Sequence, residues 1–286
     1  CGVMNARYFV GFIKFGGGPS GVVGVGGPLC PVGMEAQVFL VAPETSACEA
    51  LEIMDQFNIR TLPIVDGDLS CQGLVSVFKM SRFFSPSPSR LRETRKIRCT
   101  LEQLARTLKS STASLLRPDQ EEELTLMIGA MKLDSFEQRL RQYDPNRLLL
   151  VVGDREDIQR VAIDHQIRVM VVTGGLSVSH AIRELALSKG VSILRSEHDS
   201  TTTAMLCRAA IPVKHLRNEH FLHFNEDEPL ARIQNLAISS QFQAFPVQAA
   251  HQRMVGILSK TDFVKPVNRQ LILVDHILKG HLKLAS

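Results

Sequence analysis

The sequence predicts an α/β fold in which two similar α+β units flank a three-layer α/β domain. The first observation is a repeat at an offset of 183 residues: Pro63-Ile64-Val65 matches Pro246-Val247, and Gly73-Leu74-Val75-Ser76 matches Gly256-Ile257-Leu258-Ser259. The second is that apolar strands alternate with helices between the copies, which is typical of a parallel sheet covered on both faces. Because one small unit often cannot close its own core, we expect the copies to pack together around a functional cleft.

The composition is that of an ordinary globular protein. The 286 residues are 44% hydrophobic and 22% charged, and the formal net charge of +4 is mild. No basic cluster is interleaved with aromatic residues, so we expect no nucleic-acid partner. The apolar runs are far shorter than the roughly 20 residues that span a bilayer, and no signal peptide is evident. Six cysteines form no CxxC pair and no zinc-type spacing, so we predict reduced thiols in a soluble cytoplasmic protein without membrane contact.

Residues 1–33 are predicted to form an irregular N-terminal segment. They hold ten of the nineteen glycines, and Gly16 to Gly21 satisfies the GxGxxG pattern. A phosphate-binding loop of that type needs a helix directly after it, whereas further glycines and Pro28 follow here. We therefore favour irregular structure over a phosphate loop.

The first copy is predicted to consist of strand, helix, two strands and a short closing helix. Pro43-Glu44-Thr45-Ser46 is typical of a turn and helix cap, and apolar residues recur on one face of the helix that follows. The predicted elements are a strand at 38–41, a helix at 47–57, strands at 61–66 and 73–77, and a closing helix that includes Phe83 and Phe84.

Residues 85–98, a Ser/Pro run followed by a basic stretch, are predicted to be a solvated linker. The α/β domain then occupies residues 99–210. Its predicted elements are helices at 101–108 and 119–131, a strand at 147–152, a helix at 156–165, a strand at 169–172, a helix from Ser177 to Lys189 that Gly190 ends, a strand at 191–194 and a helix that opens at Asp199.

The second copy occupies residues 211–266 and repeats the order of the first. Glu226-Asp227-Glu228-Pro229 is an acidic helix start that suits the positive end of the helix dipole. Strands are predicted at 244–248 and 254–258, and Lys260 to Phe263 begins the closing helix.

The second copy ends in Gly256-Ile257-Leu258-Ser259-Lys260-Thr261-Asp262. This stretch resembles the adenine-nucleotide motif of CBS domains, so we identify residues 34–84 and 211–266 as CBS domains. The resemblance implies that Ser259 contacts phosphate and Asp262 contacts ribose, with Lys260 as a further nucleotide contact. A plain helix cap at Ser259 is the alternative.

The first copy departs from this motif. Ser76 is retained, but Lys79 stands where the aspartate is expected. We include Ser76 and Lys79 as nucleotide-binding candidates, because a lysine at a helix start can meet a phosphate; a solvated lysine is the alternative. The inequality of the copies favours one nucleotide, or a two-headed one, over two equivalent sites.

The domain between the copies contains Val171-Val172-Thr173-Gly174-Gly175 and His198-Asp199-Ser200-Thr201-Thr202-Thr203. Both stretches resemble a DRTGG domain. The Thr-rich helix start can bind an anion or can simply be capped, and the family's common role in spacing and dimer contact favours capping.

The order CBS, DRTGG, CBS resembles the regulatory insert of family II inorganic pyrophosphatases, the manganese-dependent branch of the DHH phosphoesterases. Residues 267–286 would begin the catalytic domain, with Asp275 as a vestigial metal ligand. The family's His, Asn-Pro-Asp and Asp cluster and its Asp-His-His signature are not found. His276 and His281 are more typical of exposed tail residues than of metal ligands. We therefore predict no catalytic residues in this chain and a chain that is inactive alone.

The resemblance implies a homodimeric sensor of adenine nucleotides. AMP or ADP would lower, and ATP or a diadenosine polyphosphate would raise, hydrolysis of diphosphate by a parent enzyme that uses Mn²⁺. One alternative is a free-standing CBS and DRTGG sensor or transcriptional regulator without hydrolase activity. Another is a catalytic chain, which would need metal ligands that the sequence lacks.

Overall fold

The computed structural model describes residues 22–25, 38–85, 95–110, 115–249 and 252–260. The strands there are β1 Val22–Val25, β2 Val38–Val41, β3 Thr61–Val65, β4 Cys71–Ser76, β5 Lys96–Cys99, β6 Glu122–Ile128, β7 Leu148–Val152, β8 Val169–Val172, β9 Ser192–Arg195, β10 Phe224–Asn225, β11 Ala244–Gln248 and β12 Met254–Ser259. The α-helices are α1 Ala47–Gln56, α2 Val77–Phe84, α3 Leu101–Thr107, α4 Leu133–Leu140, α5 Glu156–Asp164, α6 His180–Lys189, α7 Ser200–Ala209 and α8 Leu230–Ser239. Within these ranges, every helix is too short or too polar to cross a membrane.

The chain divides into two compact units. The first contains residues 1–43, 61–75 and 218–286, and the second contains residues 44–60 and 76–217. The sheets of both copies of the repeat belong to the first unit, and the central α/β domain belongs to the second.

The first unit contains a sheet from each copy. One has the order β1-β2-β3-β4, with β1 antiparallel to β2 and β2 parallel to β3. The other has the order β10-β11-β12 and packs against α8. The strand β1 corrects the prediction of irregular structure for residues 1–33, because valines at 22, 23 and 25 favour a strand and β2 provides the edge with which it pairs.

The two copies share a core, as the repeat predicted. Leu40, Val65 and Leu69 of the first copy form one buried cluster with Met254 of the second. The Met254 N–H donates to the Leu69 carbonyl oxygen at 2.8 Å. Neither sheet therefore closes its hydrophobic face alone.

The second unit contains a five-stranded sheet of order β5-β6-β7-β8-β9. Strand β5 is antiparallel to β6, and the remaining pairs are parallel. Side chains of α4, α5 and α6 pack on one face, and those of α3 and α7 pack on the other. All five residues of β7 are buried, as expected for a central parallel strand. The predicted three-layer domain is confirmed.

The predicted helix at 119–131 is wrong, because residues 122–128 form β6. Leu124 and Leu126 are buried, whereas Glu123 is exposed and Thr125 is only partly buried, so burial follows the two-residue period of a strand. Strand β6 also pairs with a neighbour on each side, and these pairings outweigh the helical preference of its glutamates and leucines.

The ends of α6 show how local capping sets a helix boundary. It begins at His180, three residues later than predicted, because the Ser179 Oγ caps it by accepting from the Ile182 N–H. It ends at Gly190 as predicted, where φ is 73°. Glycine adopts this left-handed conformation without the steric cost that a Cβ would add.

Candidate functional site

The junction between β4 and α2 is the first candidate phosphate contact. Ser76 is the N-cap of α2, and its Oγ accepts a hydrogen bond from the Lys79 backbone N–H at 3.3 Å. The Val77 N–H bonds to the Arg60 carbonyl oxygen at 3.0 Å. The Lys79 side chain is exposed, and the first turn of α2 contains no acidic residue. The start of α2 therefore combines a hydroxyl, the positive end of a helix dipole and a lysine in the first turn, which favours an anion.

The junction after β12 repeats this arrangement in the second copy. Ser259 ends β12, and the Lys260 N–H donates to the Gln243 carbonyl oxygen at 3.1 Å. This bond is equivalent to the bond from the Val77 N–H to the Arg60 carbonyl oxygen in the first copy. The Lys260 Nζ donates to the Ser240 carbonyl oxygen, at the C-terminal end of α8. Its side chain thus caps α8, and a nucleotide would have to compete with that cap for the ammonium group.

A pocket of about 460 Å³ lies in the first unit. Cys71 of the first copy contributes to its wall together with residues of the second copy. The full lining is Cys71, Phe221, His223, Asn225, Gln248, Ala249 and Gln252. Both copies of the repeat are therefore needed to build it, as the predicted cleft required.

Alternate side chains of the segment that leads into β10 reach this pocket. Phe221, His223 and Asn225 line it, whereas Leu222 and Phe224 pack in the core of the second copy. The Phe221 and His223 rings lie 6.0 Å apart between centroids. Asn225 is paired with Gln248 in the parallel register. Two rings and several carboxamides make the pocket suitable for a flat, polar-edged heterocycle.

The Cys71 thiol is a weak acid in this wall. Burial raises its pKa to about 11, against a smaller opposing effect of the Gly73 backbone. It is therefore a neutral, polarizable surface at physiological pH rather than a nucleophile. In the described ranges, Cys48, Cys71, Cys99 and Cys207 are all free thiols.

The DRTGG-like stretches of the central domain bond mainly to each other. The Gly174 N–H donates to the His198 carbonyl oxygen at 2.7 Å, and the Gly175 N–H donates to that of Ser196 at 2.9 Å. Asp199 accepts from the backbone N–H groups of Thr201 and Thr202, and the Thr202 hydroxyl holds its pKa below the usual value. Capping thus occupies the Thr-rich helix start.

A second pocket, of about 440 Å³, lies in the central domain. Its lining is Arg98, Arg117, Gln120, Glu121, Glu122, Glu123, Asn146 and Arg147. Its three glutamates pair with Arg98, Arg168 and Lys96 at 2.6–2.8 Å. These pairs satisfy the charges of the three glutamates within the protein.

Two predicted site residues, Asp262 and Asp275, lie outside the described residues, as do His276 and His281. Within the described ranges, no group of three or more histidine, cysteine, aspartate or glutamate side chains could hold a metal ion. The Mn²⁺ that the resemblance implies therefore finds no fitting donor set in this part of the chain.

Sequence reasoning missed the pocket residues. The spacing of Phe221, His223 and Asn225 was a usable signal, because polar and aromatic residues alternate there with Leu222 and Phe224. That alternation predicts a strand with one functional face.

Comparison with known proteins assigns the two kinds of domain. Residues 103–210 match the DRTGG domain family, and residues 31–85 match the CBS domain family. The fold and these matches define a protein with CBS and DRTGG domains.

The chain is homologous to manganese- and cobalt-dependent inorganic pyrophosphatases. It is 22% identical over 242 residues to the cobalt-dependent inorganic pyrophosphatase of Clostridium perfringens, covering 84% of this chain and 43% of that enzyme. It is 25% identical over 238 residues to the probable manganese-dependent inorganic pyrophosphatase of Thermotoga maritima, covering 82% and 42%. The chain thus matches less than half the length of these relatives.

The fold is that of a known regulatory region. The crystal structure of the CBS and DRTGG domains of the regulatory region of C. perfringens pyrophosphatase, complexed with the activator diadenosine tetraphosphate, superimposes with a TM-score of 0.67. The two share 21% sequence identity, and the match covers 78% of this chain and 95% of that structure.

Proposed function

We propose that this chain is the adenine-nucleotide-sensing regulatory region of a manganese- or cobalt-dependent inorganic pyrophosphatase, an enzyme that hydrolyses diphosphate to two phosphates. The observation that carries the proposal is the pocket of about 460 Å³ built from both copies of the repeat. The homologous pyrophosphatases and the shared regulatory fold support it.

The pocket chemistry suits an adenine base. The rings of Phe221 and His223 offer apolar faces for a flat heterocycle, and stacking on an aromatic ring is worth about 1–3 kcal/mol per base in nucleic-acid complexes. The amides of Asn225, Gln248 and Gln252 offer both donors and acceptors to the base edge.

Phosphate groups would bind at the two helix starts. Ser76 and Lys79 would serve the first copy, and Ser259 and Lys260 the second. The hydroxyls can donate to phosphate oxygens while the helix N-terminus stabilises the negative charge. For a nucleoside bound beyond Ser259, such as the second one of a two-headed ligand, we assign the ribose contact to Asp262, as the motif implies. The first copy lacks this contact, because Lys79 stands at the equivalent position.

The length of β12 determines which ligands can reach from the pocket to Ser259. Gln252 lies in the pocket wall, and the strand that follows it runs from Met254 to Ser259. Those five steps span about 17 Å at roughly 3.4 Å per residue. An AMP molecule with its base in the pocket is too short to reach Ser259, whereas a diadenosine polyphosphate is long enough. A two-headed nucleotide therefore suits the first unit best.

Regulation would follow from a shift between two arrangements of the region. A ligand changes such an equilibrium only by its difference in affinity for the two states. AMP or ADP would favour the state with lower hydrolysis, and a diadenosine polyphosphate or ATP the state with higher hydrolysis, in a cytoplasmic homodimer. The CBS domains would be residues 34–84 and 211–266, and residues 267–286, with Asp275, would begin the catalytic part.

Calorimetry tests the proposal. The 286-residue chain is titrated with AMP, ATP and diadenosine tetraphosphate, with GMP as the control for base recognition. We expect saturable binding of the adenine compounds, tightest for diadenosine tetraphosphate, and weaker binding of GMP. No heat with any adenine compound at millimolar concentration would refute the proposal.

A further inference from the structure

The Arg208 side chain joins α7 of the DRTGG domain to the C-terminal end of α2. Its Nη2 donates to the Phe83 carbonyl oxygen at 2.7 Å, and its Nη1 to the Phe84 carbonyl oxygen at 3.4 Å. The guanidinium carbon also lies 5.4 Å and 5.8 Å from the centroids of the two phenylalanine rings. One side chain therefore satisfies two terminal carbonyls of α2 and contacts both of its last aromatic residues.

This position is unfavourable for an ordinary surface arginine. The Arg208 Nε is buried and has no hydrogen-bond partner among the described residues. Burial also lowers the pKa of the guanidinium. In a solvated rotamer, water would bond to all of the arginine's donors. The contacts with α2 must therefore compensate for the unpaired Nε in the buried position.

The other end of α2 is the candidate phosphate contact. The eight residues from Val77 to Phe84 span about 12 Å at 1.5 Å per residue, and they include no glycine or proline. A short, uninterrupted helix moves as a rigid rod, so a shift of its first turn displaces the carbonyls that Arg208 holds.

A second link joins the segment after α7 to the start of α1. The Ala47 N–H donates to the Ile211 carbonyl oxygen, and the Val213 N–H donates to that of Thr45, both at 2.8 Å. The chain around the end of α7 thus binds both helices of the first copy. Buried residues of α7, including Ala204 and Cys207, in turn pack on the five-stranded sheet.

We propose that Arg208 is a coupling residue that transmits phosphate binding at the start of α2 to α7 and so to the DRTGG domain. The proposal rests on the proposed function, since it needs a nucleotide at Ser76 and Lys79. Arg208 touches no nucleotide in this scheme and acts as a positioning residue through α2.

Amide hydrogen exchange of the 286-residue chain, with and without saturating diadenosine tetraphosphate, tests this coupling. In the wild type, we expect the ligand to slow exchange in α2 and in α7 severalfold. The Arg208→Met variant keeps the apolar stem but loses every donor. It should bind the ligand within about threefold of the wild-type affinity and keep the response of α2, but lose the response of α7.

Arg183→Met is the matched control, because Arg183 is an exposed residue of α6 in the same domain, and it should keep both responses. If circular dichroism shows that Arg208→Met does not fold, Arg208→Lys is measured instead. A lysine cannot donate to the Phe83 and Phe84 carbonyl oxygens in the same forked geometry, so the same loss of the α7 response is expected. An α7 response that survives the substitution, or a wild type that binds ligand without an α7 response, overturns the coupling. A wild type that binds no nucleotide in calorimetry overturns the proposed function as well, and is recognised before any variant is made.

Discussion

Ser70 and Arg253, which occupy equivalent positions 183 residues apart, pair in an antiparallel bridge. The residues just before them, Leu69 and Gln252, adopt the same left-handed conformation, with φ values of 62° and 61°. The repeat in the sequence is thus a repeat in space, and the two turns meet each other. This contact joins the sheets of the two copies within one unit, and Gln252 beside it forms part of the pocket wall.

Met254→Ala should destabilise the unit that the two copies share. Met254 is fully buried in the common cluster, and truncation of a buried methionine costs about 2–5 kcal/mol through lost contacts and a cavity. Denaturant unfolding measures the change in the free energy of unfolding. Met205→Ala is the control, because Met205 is 65% exposed, and it should change stability by less than about 0.5 kcal/mol. Equal effects of the two substitutions would contradict the shared core.

Phe221→Ala should weaken binding of every adenine nucleotide by about tenfold, because loss of one stacking surface costs about 1–3 kcal/mol. Calorimetric titration with AMP and with diadenosine tetraphosphate provides the dissociation constants. Phe57→Ala, which truncates a phenylalanine at the end of α1 that is 41% exposed, should leave both constants unchanged. Unchanged affinity in Phe221→Ala would exclude the pocket as the base site.

Ser259→Ala should distinguish the one-headed from the two-headed ligand. A phosphate chain that leaves the pocket along β12 reaches Ser259 only in the longer compound. Diadenosine tetraphosphate should therefore bind at least about tenfold more weakly, because a hydrogen bond to a charged group contributes about 1.5–3 kcal/mol. AMP affinity should not change. A loss of AMP affinity equal to that of diadenosine tetraphosphate would show that the base lies closer to Ser259 than we propose.

Cys71 should report on occupancy of the pocket. Because burial raises its pKa from the ordinary 9.0 to about 11, its thiolate fraction at pH 8 is about 100-fold below that of an ordinary cysteine. Mass spectrometry of the Cys71 peptide measures its rate of labelling by iodoacetamide. This rate should be correspondingly low at pH 8 and should rise about tenfold per pH unit between pH 8 and 10. Saturating AMP should slow it further. Labelling at pH 8 as fast as that of a free cysteine would refute the buried thiol.

Glu121→Gln should destabilise the central domain in a pH-dependent way. Burial alone raises the Glu121 pKa, but hydrogen bonds from Lys214 and His215 outweigh burial and lower it overall. A lowered pKa in the folded state means that the stabilisation is present above the unfolded pKa of about 4.3 and is lost as the pH falls through the folded value. The free energy of unfolding of the wild type should therefore exceed that of Glu121→Gln by about 1 kcal/mol at pH 7. The difference should become progressively smaller below pH 4.

Asp134→Asn is the control for this comparison, since Asp134 is an exposed carboxylate on α4. It should show little stability difference at either pH. A stability gap between wild type and Glu121→Gln that widens as the pH falls would contradict the assigned role of Lys214 and His215.

Much of the fold could be predicted because local and global preferences agree. The all-apolar β7 and β8 could form only buried strands, and Gly190 could end α6 at little steric cost. The failure at residues 119–131 has the opposite cause, since glutamate and leucine favour a helix locally while pairing with β5 and β7 imposes a strand.

The site was only half predictable for a similar reason. Ser76 and Ser259 could be proposed from the sequence because a motif surrounds each one. The pocket depends on Cys71 and Gln252 meeting across the turns of two copies, and no local pattern carries that contact. The engagement of the Lys260 ammonium group with Ser240 likewise depends on where α8 ends.

The most direct test of the nucleotide sensor is a crystal structure of the 286-residue chain with AMP. We expect electron density for the adenine base in the pocket of about 460 Å³, against the rings of Phe221 and His223. Density for AMP elsewhere on the protein, with the pocket empty at full occupancy of that other site, would contradict it.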